Sequence, residues 1–227
     1  MKLHVIKPSV NNMTARVFIR AAGLEVEEVD AYGQTRTPEY IAICPAHMAP
    51  MLENAGTPGG ALWESCAIMQ YLCNKNGLDR FYPSEPAARA KQDSAMFYFT
   101  GTLYPLVARA AYPRLGFGLY PGEVGASDAS DATKEAARQA AEAALAEVLS
   151  VYHDFFLNGN KFIGGASPSI ADIRLASTME FLRITDFTFP DWLETYMSDV
   201  ETVLGAAYSE PAADVRGYID YVRSQKS

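Results

Sequence analysis

Between Lys7 and Arg16 the chain carries Ser9, Asn11, Asn12 and Thr14, four small hydrogen-bonding side chains with no charge among them, at the opening of an amphipathic helix. One such group suffices to satisfy the free backbone N–H groups of a helix start. Asn12 or Thr14 fits that task, and the others are left for a ligand. A second cluster follows at Met48-Ala49-Pro50 and Trp63-Glu64-Ser65. Pro50 opens a short strand, where a cis bond would turn the preceding backbone outward to pair with a peptide-like ligand. Ser65 opens a helix, so its N–H and hydroxyl can meet a carboxylate at the positive helix end. Glu64 beside it offers an acceptor for an ammonium. Together these groups suit the zwitterionic head of an α-amino acid.

The elements that must position them read as two halves. Residues 2–6 form a strand, 13–22 a helix closed by Gly23, and 24–30 a second, half-exposed strand. A short helical turn over TPEYIAI, strand fragments at APML and ALW, and a helix SCAIMQYLCNKN stopped by Gly77 complete a compact α/β unit. We assign residues 1–78 to this unit, 79–86 to a linker containing Pro83 and Pro86, and 87–227 to an all-helical unit. Helices are predicted there at 87–111, 131–157, 169–184, 191–204 and 214–224. In the second of these Leu145, Val148, Leu149, Tyr152, Phe155 and Phe156 make one apolar stripe, with Asp128, Ser130 or Asp131 as cap.

Composition narrows the partners. With 227 residues, 49% hydrophobic and a net charge of −8, the chain reads as a folded protein with no basic stripe for a nucleic-acid backbone. Neither a signal peptide nor a run of membrane-spanning length is evident, which predicts a cytoplasmic protein. Cys44, Cys66 and Cys73 make no CxxC pair and no metal spacing, so no metal is predicted and the thiols read as reduced core residues.

MAP followed by WESCAIMQYL resembles the glutathione-binding half of the soluble glutathione S-transferase family, and FIGGASPSIADI resembles its second-domain signature. In the latter, Ser169 and Asp172 form an N-capping box, each satisfying a backbone donor of the other. The resemblance covers nearly the whole chain. It implies a thioredoxin-like first domain, an all-α second domain, glutathione bound between them as co-substrate, and a homodimer. Position by position, it places Glu64 and Ser65 on the γ-glutamyl end and the backbone of Ala49, before Pro50, on the cysteinyl part. The family often has Asn, Gly and Lys where this chain has Cys44, His47 and Met48. His47 is then the candidate for the glycyl carboxylate, with Arg36 and Tyr40 as substitutes.

Ser-Val-Asn at 9–11 resembles the Thr-Pro-Asn of the nu-class, bacterial-like branch, which implies Asn11 as principal sulfur contact, Ser9 as partner and Asn12 as runner-up. Lowering a thiol from about 8.5 by about two units raises its ionised fraction at about pH 7.4 roughly elevenfold, and costs roughly eightfold in intrinsic nucleophilicity. These nearly cancel, so positioning the sulfur against its partner must supply most of the acceleration. Phe97, Tyr104, Arg109, Tyr112 and Arg114 are the candidate pocket wall, with Arg16 near the sulfur. Aromatic walls suit an apolar electrophile, and an Arg can stabilise a leaving group. The resemblance implies a transferase acting on a small hydrophobic electrophile (conjugation, epoxide opening, dehalogenation or ether cleavage). Glutathione-dependent disulfide or peroxide chemistry and a non-catalytic binding protein are the alternatives.

Overall fold

A computed structural model of the chain describes residues 1–117 and 130–225. Strand β1 (Lys2–Val5) is central because its apolar residues, Leu3 and Val5, both bury while Lys2 and His4 stay half-buried. It pairs in parallel with β2 (Glu27–Asp30), from Lys2 against Glu27 to Val5 against Asp30. On its other side it pairs antiparallel with β3 (Met51–Glu53), which in turn pairs antiparallel with β4 (Ala61–Trp63). The order is therefore β2-β1-β3-β4. The chain leaving β1 emerges beside the chain entering β3, and this is what brings the residue 9–12 segment to the Pro50 turn.

Helix α1 (Val10–Ala21) begins three residues before the position its amphipathic spacing predicts. Asn and Ser are poor helix formers, yet Val10 is fully buried and the extended backbone of Ser9 starts the helix there. Asn11, Asn12 and Thr14 thus lie inside the first turns. Neither Asn12 nor Thr14 is the cap: Asn12 Oδ1 accepts from the Ile6 N–H, and Thr14 Oγ1 donates to the Val10 carbonyl. Ser9 holds the cap position without a side-chain capping bond. Helix α2 (Pro38–Ile43) is capped by Thr37, and α3 (Ser65–Asn76) ends on Gly77 in the left-handed conformation.

The predicted helix over 87–111 is α4 (Pro86–Tyr98) and α5 (Tyr104–Leu115), joined by a π-helical turn at Phe99–Leu103. Helix α6 (Asp131–Val151) is capped by Ser130, which accepts from the Thr133 N–H, and a second π-helical turn (Tyr152–Leu157) extends it. Asp128 lies outside the described residues. A π turn adds a residue and shifts the helical phase; Phe155, predicted in the apolar stripe, is accordingly exposed while Tyr152 and Phe156 are buried.

Helix α7 (Ile170–Met179) is buried along its whole length and opens on the Ser169–Asp172 capping box. Asp172 also accepts from the Ile163 and Gly164 N–H groups and the Tyr196 hydroxyl, so the motif ties the preceding loop to α8 (Asp191–Leu204). Helix α9 (Ala206–Ser224) starts eight residues before its predicted position and carries the buried Pro211 inside it. One apolar core runs through both halves, joining Val10 and Phe18 of α1 and Leu72 of α3 to Phe99, Leu103 and Leu175. No helix among the described residues is long and apolar enough to cross a membrane.

Candidate active site

Three turns converge at the carboxyl end of β1. The first is the start of α1, with no acidic side chain in its opening turn, so its N–H groups present an uncompensated positive end. The second is the Ala49–Pro50 turn, where the peptide bond is cis. Asn12 binds these two together: it is 1% exposed, and its Nδ2 donates to the Ala49 carbonyl at 3.3 Å while its Oδ1 accepts from Ile6 at 3.1 Å. Both ends of its amide are thus spent on backbone, which makes it a brace beneath the turn rather than a group facing a ligand. Tyr40 braces the same turn, its hydroxyl donating to the Met48 carbonyl at 2.6 Å, and burial pushes its phenol above its usual range.

The third turn carries Glu64 at φ 71°, a left-handed conformation that non-glycine residues adopt only when the surroundings impose it. Such outliers cluster at functional sites. Glu64 is exposed and Ser65 buried at the N-terminus of α3. His47, also at positive φ (44°), and Met48 are exposed on the approach to Ala49.

Asn11, one residue before the brace, points toward the helical half. Its Nδ2 donates to the Tyr104 hydroxyl at 2.8 Å, and its Oδ1 accepts from Nη1 of Arg174 at 2.6 Å. The Tyr104 and Tyr112 hydroxyls are 2.8 Å apart. Arg174, on α7, also stands over the rings of Phe99 and Tyr104, with its guanidinium carbon 4.4 and 5.1 Å from their centres. Sequence reasoning passed over Arg174 and Phe99. A signal for the first was present: Arg174 is the single cation in IADIRLASTM, a helix otherwise apolar enough to bury outright, and a charge in such a helix needs a reason.

Of the predicted pocket residues, Tyr104 reaches Asn11 and Tyr112 reaches Tyr104, and Ser9 sits half-buried two residues before Asn11. Three do not meet there. Phe97 is 72% exposed, because the buried stripe of α4 runs through Gln92, Ala95, Met96 and on to Phe99, and position 97 falls off it. Arg16 is turned the other way, pairing with Glu28 at 3.0 Å and Asp214 at 2.8 Å, where it fastens α9 to α1. Arg114 pairs with Asp186 at 2.8 Å beside α6. Arg109 is half-buried on α5. No group of His, Cys, Asp and Glu suited to a metal occurs among the described residues.

The three cysteines lie apart from one another as free thiols. Burial pushes Cys73 up to about 12 and raises Cys66 as well, the Arg174 charge opposing the latter rise.

Comparison with known proteins agrees with this architecture. Residues 1–74 match the family model "Glutathione S-transferase, N-terminal domain" and residues 131–201 match "Glutathione S-transferase, C-terminal domain". A delta-class glutathione transferase of Nilaparvata lugens is 24% identical, with a TM-score of 0.73 over 97% of this chain and 99% of that one. A Bombyx mori glutathione transferase in complex with GTT is 25% identical, with a TM-score of 0.73 over 98% and 96% of the two chains. A human theta-class glutathione transferase, solved with the glutathione conjugate of 1-menaphthyl sulfate, has a TM-score of 0.76 at 20% identity over 99% and 91%. With both halves matched and the four-stranded sheet and helical unit in place, the chain belongs to the glutathione S-transferase family of enzymes.

Proposed function

We propose that this cleft binds glutathione and directs its thiolate at a small hydrophobic electrophile. The γ-glutamyl end lies at Glu64 and the N-terminus of α3, where Ser65 and the helix N–H groups receive the carboxylate. The cysteinyl backbone runs antiparallel to Ala49, whose carbonyl keeps one lone pair beyond the one given to Asn12. The sulfur sits over the start of α1, within reach of Asn11 and Ser9, and His47 or Met48 flanks the glycyl end.

The observation that carries this reading is the fixed amide of Asn11. An arginine has donors and no acceptor, so Arg174 forces Oδ1 of Asn11 toward itself and Nδ2 away. Nδ2 carries two hydrogens, of which Tyr104 takes one; the other is presented to an incoming sulfur. The thiol proton leaves to water, the sulfur forms a bond to the electrophilic carbon, and the leaving group departs with its electron pair or, in an epoxide, stays attached as an alkoxide that takes up a proton. Tyr104, Tyr112 and Arg109 line the helical side against which the electrophile rests. The test is a turnover panel with glutathione and an aryl halide, an epoxide, an alkyl halide and an aryl ether, run beside a dithiol-linked substrate and a peroxide. Turnover of any electrophile above the disulfide supports the reading, and turnover of the disulfide or peroxide alone contradicts it.

A second reading, disulfide or peroxide reduction with two glutathiones as in the nu class, draws on the likeness of Ser9-Val10-Asn11 to Thr-Pro-Asn. Its mark in the same panel is disulfide or peroxide turnover that survives replacement of all three cysteines. Absence of glutathione binding in calorimetry would leave the third reading, a binding protein on this fold. We further propose a cytoplasmic homodimer, for which sedimentation should give twice the chain mass.

A further inference from the structure

We propose that Arg174 is the permanent counter-charge of the bound thiolate, a positioning residue that acts through Asn11. The inference rests on the glutathione reading above. Arg174 is 4% exposed, and among the described residues no carboxylate lies within ion-pair distance of it. Every other strongly buried arginine in the described chain has such a partner: Arg16 has Glu28 and Asp214, and Arg138 has Glu135 and Glu142. What surrounds Arg174 is neutral. Phe99 and Tyr104 offer ring faces, Asn11 and Thr14 offer oxygens at 2.6 and 3.4 Å, and its Nε has no partner at all. The titratable groups facing it are the Cys66 thiol of α3 and the phenols of Tyr104 and Tyr152, and burial raises both Cys66 and Tyr152, which favours their uncharged forms.

A buried cation held only by neutral oxygens and π faces costs free energy that a fold keeps only where an anion completes it. Among the described residues no such anion is present. Asn11 links Arg174 to the proposed sulfur position: its Oδ1 accepts from Arg174, and its Nδ2 keeps a second hydrogen beyond the one given to Tyr104. An arginine cannot lose its proton in this range, so its charge is present throughout the pH range of turnover. At a separation of about 7 Å and an effective dielectric constant of about 20, a unit charge shifts a thiol by between one and two pH units. That supplies the charge which the uncharged loop at 8–15 lacks.

The experiment titrates the thiolate absorbance of glutathione bound to the wild-type chain and to Arg174→Lys, Arg174→Gln and Arg174→Met, with glutathione affinity measured alongside by calorimetry. In the wild type the bound thiol should titrate below its free value. Gln and Met should raise it by about one unit or more, a tenfold change in the thiolate ratio, with glutathione Kd, measured at a pH below the bound thiol's titration, changed by less than about threefold. Lys keeps the charge and is donor-only like Arg, so it should hold most of the shift. A purely structural role would lower the melting temperature without moving the thiol. An unchanged thiol pKa in a folded Gln or Met variant overturns the inference while the glutathione reading stands. Failure of both neutral variants to fold makes Arg174 structural and also overturns it. A wild-type chain that does not bind glutathione, or leaves its thiol unmoved, defeats the underlying reading instead.

Discussion

The side-chain amide of Asn12 bridges the exit of β1 and the Ala49–Pro50 turn, donating to the Ala49 carbonyl at 3.3 Å and accepting from Ile6 at 3.1 Å. Next to it, Asn11 spends its amide across the domain boundary. Two adjacent residues of one type therefore do different work, one fixing the platform and one facing the cleft. Replacing Asn12 by Ala leaves the half-buried Ile6 N–H without its partner. We expect a loss of about 1–3 kcal/mol in urea denaturation, together with weaker glutathione binding and an unaltered thiol pKa in the glutathione that does bind.

Asn11→Ala should show the opposite pattern. Glutathione affinity should hold, while the bound thiol titrates higher and kcat falls. Worked through in sign, a higher thiol pKa leaves less thiolate at neutral pH, so the lost rate returns as pH rises through the new pKa. Ser9→Ala should move the thiol less. The reverse ranking in a pH–rate series would put the sulfur at Ser9.

Tyr104→Phe removes the hydroxyl that both receives the Asn11 amide and meets Tyr112. One hydrogen bond of this kind is worth about 1 kcal/mol, so kcat/KM should fall roughly fivefold. The ring stays, and with it the contact to Arg174, so thermal stability should change little.

The thiols should be dispensable. Burial holds Cys73 near 12 and raises Cys66, so in the native state both remain protonated, and thus unreactive, at neutral pH. Labelling with a maleimide at pH 8 should be slow until denaturant opens the core. The triple variant Cys44→Ala, Cys66→Ala, Cys73→Ala should keep its glutathione-dependent turnover.

Features carried by short, local patterns were legible in the sequence. Gly77 stops α3, a short helix forms within TPEYIAI, and Ser169 with Asp172 opens α7, because each depends on residues a few positions apart. The start of α1 was not, since its first turns are built of weak helix formers that hold only because Val10 is buried and Asn12 reaches back to Ile6. The contact of Arg174 with Asn11 spans 163 positions, and no periodicity announces a pair formed by folding one half onto the other. Phe97 and Phe155 were misplaced for a related reason: aromatic character suggested burial, while the phase of α4 and the π turn after α6 set which face each ring occupies.

The most direct test is a crystal structure of the chain with glutathione bound. We predict the sulfur within hydrogen-bonding distance of Asn11 Nδ2 or Ser9 Oγ, with the γ-glutamyl carboxylate at the Ser65 end of α3. A sulfur lying away from residues 9–11, or a γ-glutamyl group that bypasses Glu64 and Ser65, would contradict it.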